Sequence, residues 1–221
     1  MTSNILLRSY KMTCDTGFAP NPYFEILSLA TCMSGIRKYA EIGEWIAGFT
    51  SKTLCGDGKG QERLIYLMLV SEKIKFEEYY EQYPQKRPEN CPCGDNIYKP
   101  RNGGYEQILN KYHGICEFED DTSAPFVLLA KEFYYFGKDA VNVPKEYRPS
   151  IKHTSAPRGC ITKDKQQAQV FIDWVKNEAA WRQRPIGKPH IDPKSESCSK
   201  SCSKSCSKSC SKKRVNAGEN K

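Results

Sequence analysis

The chain has 221 residues, of which 38% are hydrophobic and 27% charged, a balance that fits one sizeable soluble globular domain with or without appendages. No run of about 18 apolar residues occurs, so a membrane span is not expected. The opening Met1-Thr2-Ser3-Asn4-Ile5-Leu6-Leu7-Arg8 lacks the basic and apolar regions of a secretory signal, which gives a cytoplasmic expectation. The formal charge of +8 is uneven: residues 191–221 hold eight Lys/Arg against three Asp/Glu, leaving +3 on the first 190 residues. Summed charge therefore gives little support for duplex binding through neutralised phosphates. Four of the eleven cysteines, Cys198, Cys202, Cys206 and Cys210, belong to the far end of the chain. The other seven are irregularly spaced, which points to reduced thiols.

Residues 5–14 read as a first strand, and Thr16-Gly17-Phe18-Ala19-Pro20-Asn21-Pro22 as a loop. Residues 23–31 read as a second strand, and Gly35-Ile36-Arg37-Lys38-Tyr39-Ala40 as a short helix. Next come two apolar runs, Trp45-Ile46-Ala47-Gly48-Phe49 and Leu64-Ile65-Tyr66-Leu67-Met68-Leu69-Val70, separated by a long Gly- and Lys-rich loop. That pattern predicts paired antiparallel strands with a loop long enough to have a task of its own. Phe76, Tyr79, Tyr80 and Tyr83 fall on one helical face, a spacing that favours packing over a stacking platform.

Residues 84–104 are rich in Pro, Gly and Asn and read as mostly irregular, with Asp95-Asn96-Ile97-Tyr98 entering a short strand. Glu117-Phe118-Glu119-Asp120-Asp121-Thr122 reads as an acidic loop, residues 126–130 as a buried strand, and residues 132–137 as a strand or tight bend. An amphipathic helix over residues 166–181, with Val170, Phe171, Trp174 and Val175 on one face, is expected to close the domain. The domain is thus expected over residues 3–183. Residues 184–221 contain four Ser-Cys-Ser-Lys repeats with nothing to bury and read as a disordered tail.

Cys91, Cys93, His113 and Cys116 supply thiolate and imidazole donors of the kind zinc uses, but Cys-x-Cys is a looser pattern than Cys-x-x-Cys. No metal or cofactor is therefore called for. Of the three histidines, His113 lies downstream of Asp95, and an Asp–His pair could orient a general base; a surface loop histidine is the blander alternative. Walker, dinucleotide and Gly-x-Ser-x-Gly signatures are lacking. The residue types for a base pocket are better represented. Trp45 and Phe18 offer flat faces worth about 1–3 kcal/mol each to a stacked base. Asn21, Asp95 and Asn96 could bond base edges beside Tyr98, and Arg37 or Lys52 could meet a phosphate.

Taken together, Asp15-x-Gly17-Phe18-Ala19-Pro20-Asn21-Pro22, Ile36-Arg37, Gly43-Glu44-Trp45-Ile46-Ala47-Gly48, Gly94-Asp95-Asn96-Ile97-Tyr98, His113 and Phe133-x-Tyr135-Phe136-Gly137 resemble the nucleotide modification associated domain, type 2 family. The likeness runs from about residue 10 to residue 174. It implies a protein found, typically in bacteria and their phages, near genes that modify DNA bases. Glu44 stands where that family usually has Asp, His113 is followed by Gly-Ile-Cys where it tends to have a Ser, and the repeat tail lies outside its pattern. A looser likeness, of fold alone, is to small barrels of the PUA, ASCH and EVE type, which bind RNA or modified bases.

The expectation is a single α+β domain built on a strongly bent antiparallel sheet or PUA-like barrel flanked by helices. Its function would be to recognise or process a modified base or nucleotide, alone or with DNA-modification enzymes as partners. The rival readings are an enzyme using Asp15, Asp95 and His113 as acid–base groups, and a scaffold whose tail recruits a partner.

Overall fold

A computed structural model describes residues 5–55, 62–151, 158–177 and 186–190. Five strands form the larger sheet, in the order β10 (Cys160–Ile161), β1 (Leu7–Met12), β3 (Trp45–Thr50), β4 (Leu64–Leu69), β9 (Glu132–Tyr135). β1 runs parallel to β3, with Leu7 opposite Trp45 and Met12 opposite Thr50. The other pairings are antiparallel, including the expected β3–β4 pair, in which Trp45 faces Leu69. A second, antiparallel sheet has the order β2 (Leu27–Leu29), β8 (Phe126–Ala130), β5 (Glu72–Lys75).

Period-2 alternation sends each strand of the larger sheet into two cores. Leu7, Trp45, Ala47, Phe49, Leu67 and Tyr134 face helix α5 (Lys165–Asn177), which lays down Ala168, Phe171, Ile172 and Val175. Those four are spaced i, i+3, i+4, i+7, and Asp164 caps the helix by accepting from the backbone N–H of Gln166 at 2.9 Å and Gln167 at 3.2 Å. Val170 points outward and Trp174 stacks on Tyr147 with ring centres 5.8 Å apart, so the buried stripe is rotated from the expected one. On the opposite face Tyr10, Met12, Ile46, Tyr66, Met68, Phe133 and Tyr135 meet Leu27, Leu29, Leu128 and Ala130 of the second sheet, together with helix α1 (Ser34–Tyr39). Gly48 lies where this contact is tightest, because a Cβ there would collide with the Tyr66 ring and the Met12 sulfur.

The bend is real, but it makes a two-sheet corner. The chain leaves β4 and enters β5 across Val70 and Ser71, and β8 passes to β9 across Lys131. Ser71 stitches this corner, its hydroxyl donating to the Leu129 carbonyl at 3.0 Å and accepting from the Lys131 N–H at 3.3 Å. Each sheet ends on two different strands, so the described residues form no closed barrel, and the larger sheet is mixed where a purely antiparallel one was expected.

A further layer covers the outer face of the second sheet. Helix α3 (Phe76–Gln82) buries Phe76 and Tyr79 there, as its aromatic spacing predicts. The hairpin of β6 (Tyr98–Arg101) and β7 (Gly104–Gln107) packs beside it, turning at Asn102 and Gly103 with φ of 49° and 77°. The acidic run, expected as loop, is helical: α4 (Phe118–Thr122) follows a 3-10 turn at Ile115–Glu117. A single turn of helix, α2 (Lys52–Cys55), opens the long loop after β3, and residues 56–61 lie outside the described residues.

The Ser-Cys-Ser-Lys repeats and the end of the expected closing helix also lie outside the described residues. Residues 186–190, placed in the tail by the sequence reading, bond to the body. Ile186 and Gly187 donate to the Tyr135 carbonyl, and Lys138 donates to the carbonyl of Lys188 at 2.8 Å.

Candidate functional site

Three buried aspartates organise the polar interior on and beside the second sheet, and each has a different neighbourhood. Asp121, from α4, accepts on Oδ2 from the Tyr98 hydroxyl at 2.7 Å and pairs there with His113 Nε2 at 2.6 Å. Its Oδ1 meets Arg37 Nη2 at 2.8 Å. The fully buried Arg37 also donates to the carbonyls of Cys32, Asp121 and Phe126 at 2.8, 3.2 and 2.9 Å, and to that of Ala124. All its donors are committed to locking α1 against α4 and β8, so none is left for the phosphate contact expected from the sequence. Burial works against a charged Asp121, but His113, Arg37 and Tyr98 outweigh it and hold the carboxyl below its ordinary range. Burial likewise opposes a charged His113, yet the bond to Asp121 and the neighbouring Cys32 raise it to about 10.

Asp95 sits in a closed lock. It accepts from Ser28 Oγ at 2.6 Å and the Tyr79 hydroxyl at 2.7 Å. Lys86 is buried beside it, with Nζ donating to the Asn21 carbonyl, Asn21 Oδ1, the Ile26 carbonyl and Ser28 Oγ at 2.9–3.1 Å. Burial lowers Lys86 to about 8, with Asp95 pulling the other way, and burial raises Asp95. Asn21 Nδ2 donates to the Cys93 carbonyl at 2.8 Å, and Asn96 Nδ2 to the carbonyls of Tyr79 and Tyr83 at 2.8 and 3.0 Å. Asn21, Asp95 and Asn96 are thus occupied in holding the loops together. The pairing of Asp95 with His113 expected from the sequence does not form, because Asp121 takes the histidine. Asp15 is the third centre, accepting from the Tyr135 hydroxyl at 2.6 Å and bonding the His190 ring Nδ1 at 2.8 Å.

One side of the Asp121 centre opens onto a cavity of about 230 Å³. Its walls come from the end of β1 (Tyr10 to Cys14), the loop of Thr16, Phe18 and Ala19, the bend at Cys32 and Met33, and Tyr112 to Gly114. Loops near residues 18 and 113 therefore meet. The Phe18 ring stacks on Tyr112 and His113 with centres 5.6 and 5.8 Å apart. His113 Nδ1 faces Cys32 Sγ at 3.8 Å.

Other expected site residues lie elsewhere. Trp45 is buried under α5 with Lys176 Nζ 5.5 Å from its ring centre, and Lys52 is exposed on α2; neither lines this cavity. Tyr98 is behind it, its hydroxyl spent on Asp121. Cys91 and Cys93 form a thiol pair with sulfurs 3.5 Å apart. The hydrogen bond between them holds Cys91 down at about 6 and pushes Cys93 up. No group of three or more His, Cys, Asp or Glu that could hold a metal ion occurs among the described residues. Cys116 is disulfide-bonded, so it offers no thiolate and departs from the expectation of reduced thiols; Cys32, Cys91, Cys93 and Cys160 are free.

Sequence reasoning passed over Lys86, Cys32 and Asp121. For Asp121 a signal existed: the acidic run around Phe118 has a composition compatible with the helix that forms there.

Fold and site define a layered α+β domain with a small aromatic-walled cavity backed by a His–Asp pair. The chain belongs to the nucleotide modification associated domain 2 family, whose model matches residues 5–197. No curated protein and no solved structure matches it. The family gives a nucleotide-modification-associated role in general terms, and no helix among the described residues is long and apolar enough to cross a membrane.

Proposed function

We propose that the chain recognises or processes a modified base or nucleotide at the cavity bounded by Phe18 and His113, as part of a DNA-modification or phage–host conflict system. The observation that carries this reading is the meeting of Phe18, Tyr112 and His113 at one hollow of about 230 Å³. That volume is below the roughly 300–1,000 Å³ of sites for drug-sized ligands and suits a single base or small nucleoside. Within this reading Phe18 supplies an aromatic wall and His113 the polar group that meets the ligand. Asn21, Arg37, Asp95, Asn96 and Tyr98 act from behind, by fixing the loops that carry the walls. Asp15 holds residue 190 against the body beside the Thr16 wall. Family membership supports the nucleotide class, and the domain is taken as residues 3–183 with residues 186–190 docked on it.

The test is mass spectrometry of nucleosides and nucleotides that co-purify with the chain, compared with Thr13→Trp. Thr13 is exposed at the cavity wall, so a larger ring there blocks the hollow without opening the core. The expected result is a bound nucleoside in the wild-type chain and its loss in the variant. Identical profiles would remove the cavity from the account.

A further inference from the structure

Cys32 is the one exposed thiol among the free cysteines of the described residues, and it lines the cavity. It sits where β2 hands over to α1, and its backbone is left-handed there, with φ of 56°, followed by Met33 at 41°. Two adjacent non-glycine residues in that region are the kind of strain that collects at functional sites. The Cys32 carbonyl is pinned by Arg37 Nε at 2.8 Å, and the same Arg37 holds Asp121. Asp121 takes His113 Nε2, which leaves Nδ1 aimed at Cys32 Sγ. His113 is fixed further by its N–H on Asn110 Oδ1 at 2.9 Å and its carbonyl under Gln107 Nε2 at 3.2 Å. Nucleophile, imidazolium and orienting carboxylate thus stand in sequence, with the nucleophile at a cavity.

We propose that Cys32, His113 and Asp121 form a nucleophilic group in which Cys32 Sγ adds reversibly to C6 of a pyrimidine held in the cavity. This deepens the nucleobase reading above and rests on it. A thiolate is a soft nucleophile, and C6 of a pyrimidine is the conjugate, soft electrophilic carbon of a ring small enough for this hollow. In the step, the thiol proton passes to water, the His113 imidazolium steadies the charge on sulfur through Nδ1, and the sulfur electron pair forms the S–C6 bond. The C5=C6 pair moves onto C5 and the adjoining carbonyl or imine, and C5 then takes a proton. Reversal removes a proton from C5, restores C5=C6 and expels the sulfur, which recovers its proton from water. The sum is exchange of the C5 hydrogen with solvent and needs no oxidant or second substrate. Cys32 and His113 act on the ring, and Asp121 is a positioning residue.

The experiment has two arms on the full chain. In the first, 2′-deoxyuridine and 2′-deoxycytidine are incubated in heavy water and loss of the C5 proton is followed by NMR. Wild-type chain is expected to accelerate the loss for at least one of them, with Cys32→Ser falling to the rate without protein. Asp121→Asn should lose about 10²-fold, the scale of one positioned acid–base group, and Asp121→Glu should recover part of it. In the second arm, iodoacetamide alkylation is mapped by peptide mass. Cys32 should react about tenfold faster than glutathione, and this excess should vanish in Asp121→Asn while urea midpoints show that variant still folded. The proposal is overturned if a nucleoside binds but Cys32→Ser exchanges C5 as fast as wild type, or if Cys32 alkylates no faster than glutathione. A fast Cys32 that depends on Asp121, with neither nucleoside bound or exchanged, would sink the nucleobase reading and the pyrimidine step with it, leaving only the reactive thiol.

Discussion

The Asp95 and Asp121 centres are both buried carboxylates ringed by tyrosine, a cation and backbone, yet they differ in where their last bond leads. Around Asp95 every donor turns inward, and Lys86 spends its ammonium on Asn21, Ile26 and Ser28. Around Asp121 one partner, His113, keeps a ring nitrogen that faces a thiol at the edge of a cavity. The first arrangement ties three loops and a helix together; the second has a free end with chemistry left in it. Buried charge alone therefore does not mark a site. What separates the two centres is that one chain of hydrogen bonds ends at a cavity and the other does not.

Removing one partner of the closed lock should cost most. Asp95→Ala leaves the Lys86 ammonium buried and strips the acceptor from Ser28 and Tyr79, so urea unfolding should show a loss of about 3–5 kcal/mol. Ligand binding should weaken only to the extent that the chain unfolds. Asp121→Asn is expected to cost less, about 1.5–3 kcal/mol for weakened charge-assisted bonds, but to change Cys32 reactivity in a chain that is still folded. A variant series in which Asp95→Ala and Asp121→Asn affect stability and reactivity in the same proportion would erase the distinction between the two centres.

Proton linkage separates the same two regions by sign. His113 is raised from 6.5 to about 10, so its contribution to stability is full below 6.5 and is lost as pH climbs towards 10. Lys86 is lowered from 10.5 to about 8, so the unfolded chain binds more protons between those values and stability gains with rising pH there. Urea midpoints measured from pH 6.5 to 10.5 should therefore fall less steeply in His113→Gln than in wild type, and rise less in Lys86→Met. Slopes unchanged in both variants would contradict the proton assignment.

The smallest effect is expected away from both centres. Trp45→Phe and Lys52→Ala should leave nucleoside titrations unchanged within error, because one ring lies under α5 and the other side chain in solvent. A tenfold loss in either would return those residues to the site.

Local pattern carried the framework. The β3–β4 pair, the α3 aromatic face and the α5 position follow from period and spacing, which each segment holds within itself. The mixed pairing of β1 with β3 and the passage of β4–β5 and β8–β9 between two sheets depend on distant partners, and nothing in those segments alone announces them. The cavity was legible in part. Phe18 was read as a stacking face and His113 as a candidate acid–base group, each from its own loop. Which aspartate would meet His113 was not legible, since Asp95 is taken by Ser28 and Tyr79 beside Lys86, a residue whose burial no hydrophobic pattern predicts. Trp45 looked like a stacking face because an aromatic residue beside a loop reads the same whether it faces a ligand or a helix.

The central claim, that the hollow beside Phe18 and His113 receives a nucleobase, is most directly tested by NMR of chain labelled with ¹⁵N-histidine. The ring nitrogens of His113 should shift on titration with 2′-deoxynucleosides, while those of His190, held by Asp15, stay in place. The Thr13→Trp variant should abolish the shift. A His113 signal that remains fixed while nucleoside demonstrably binds would put the ligand elsewhere on the molecule and contradict the account.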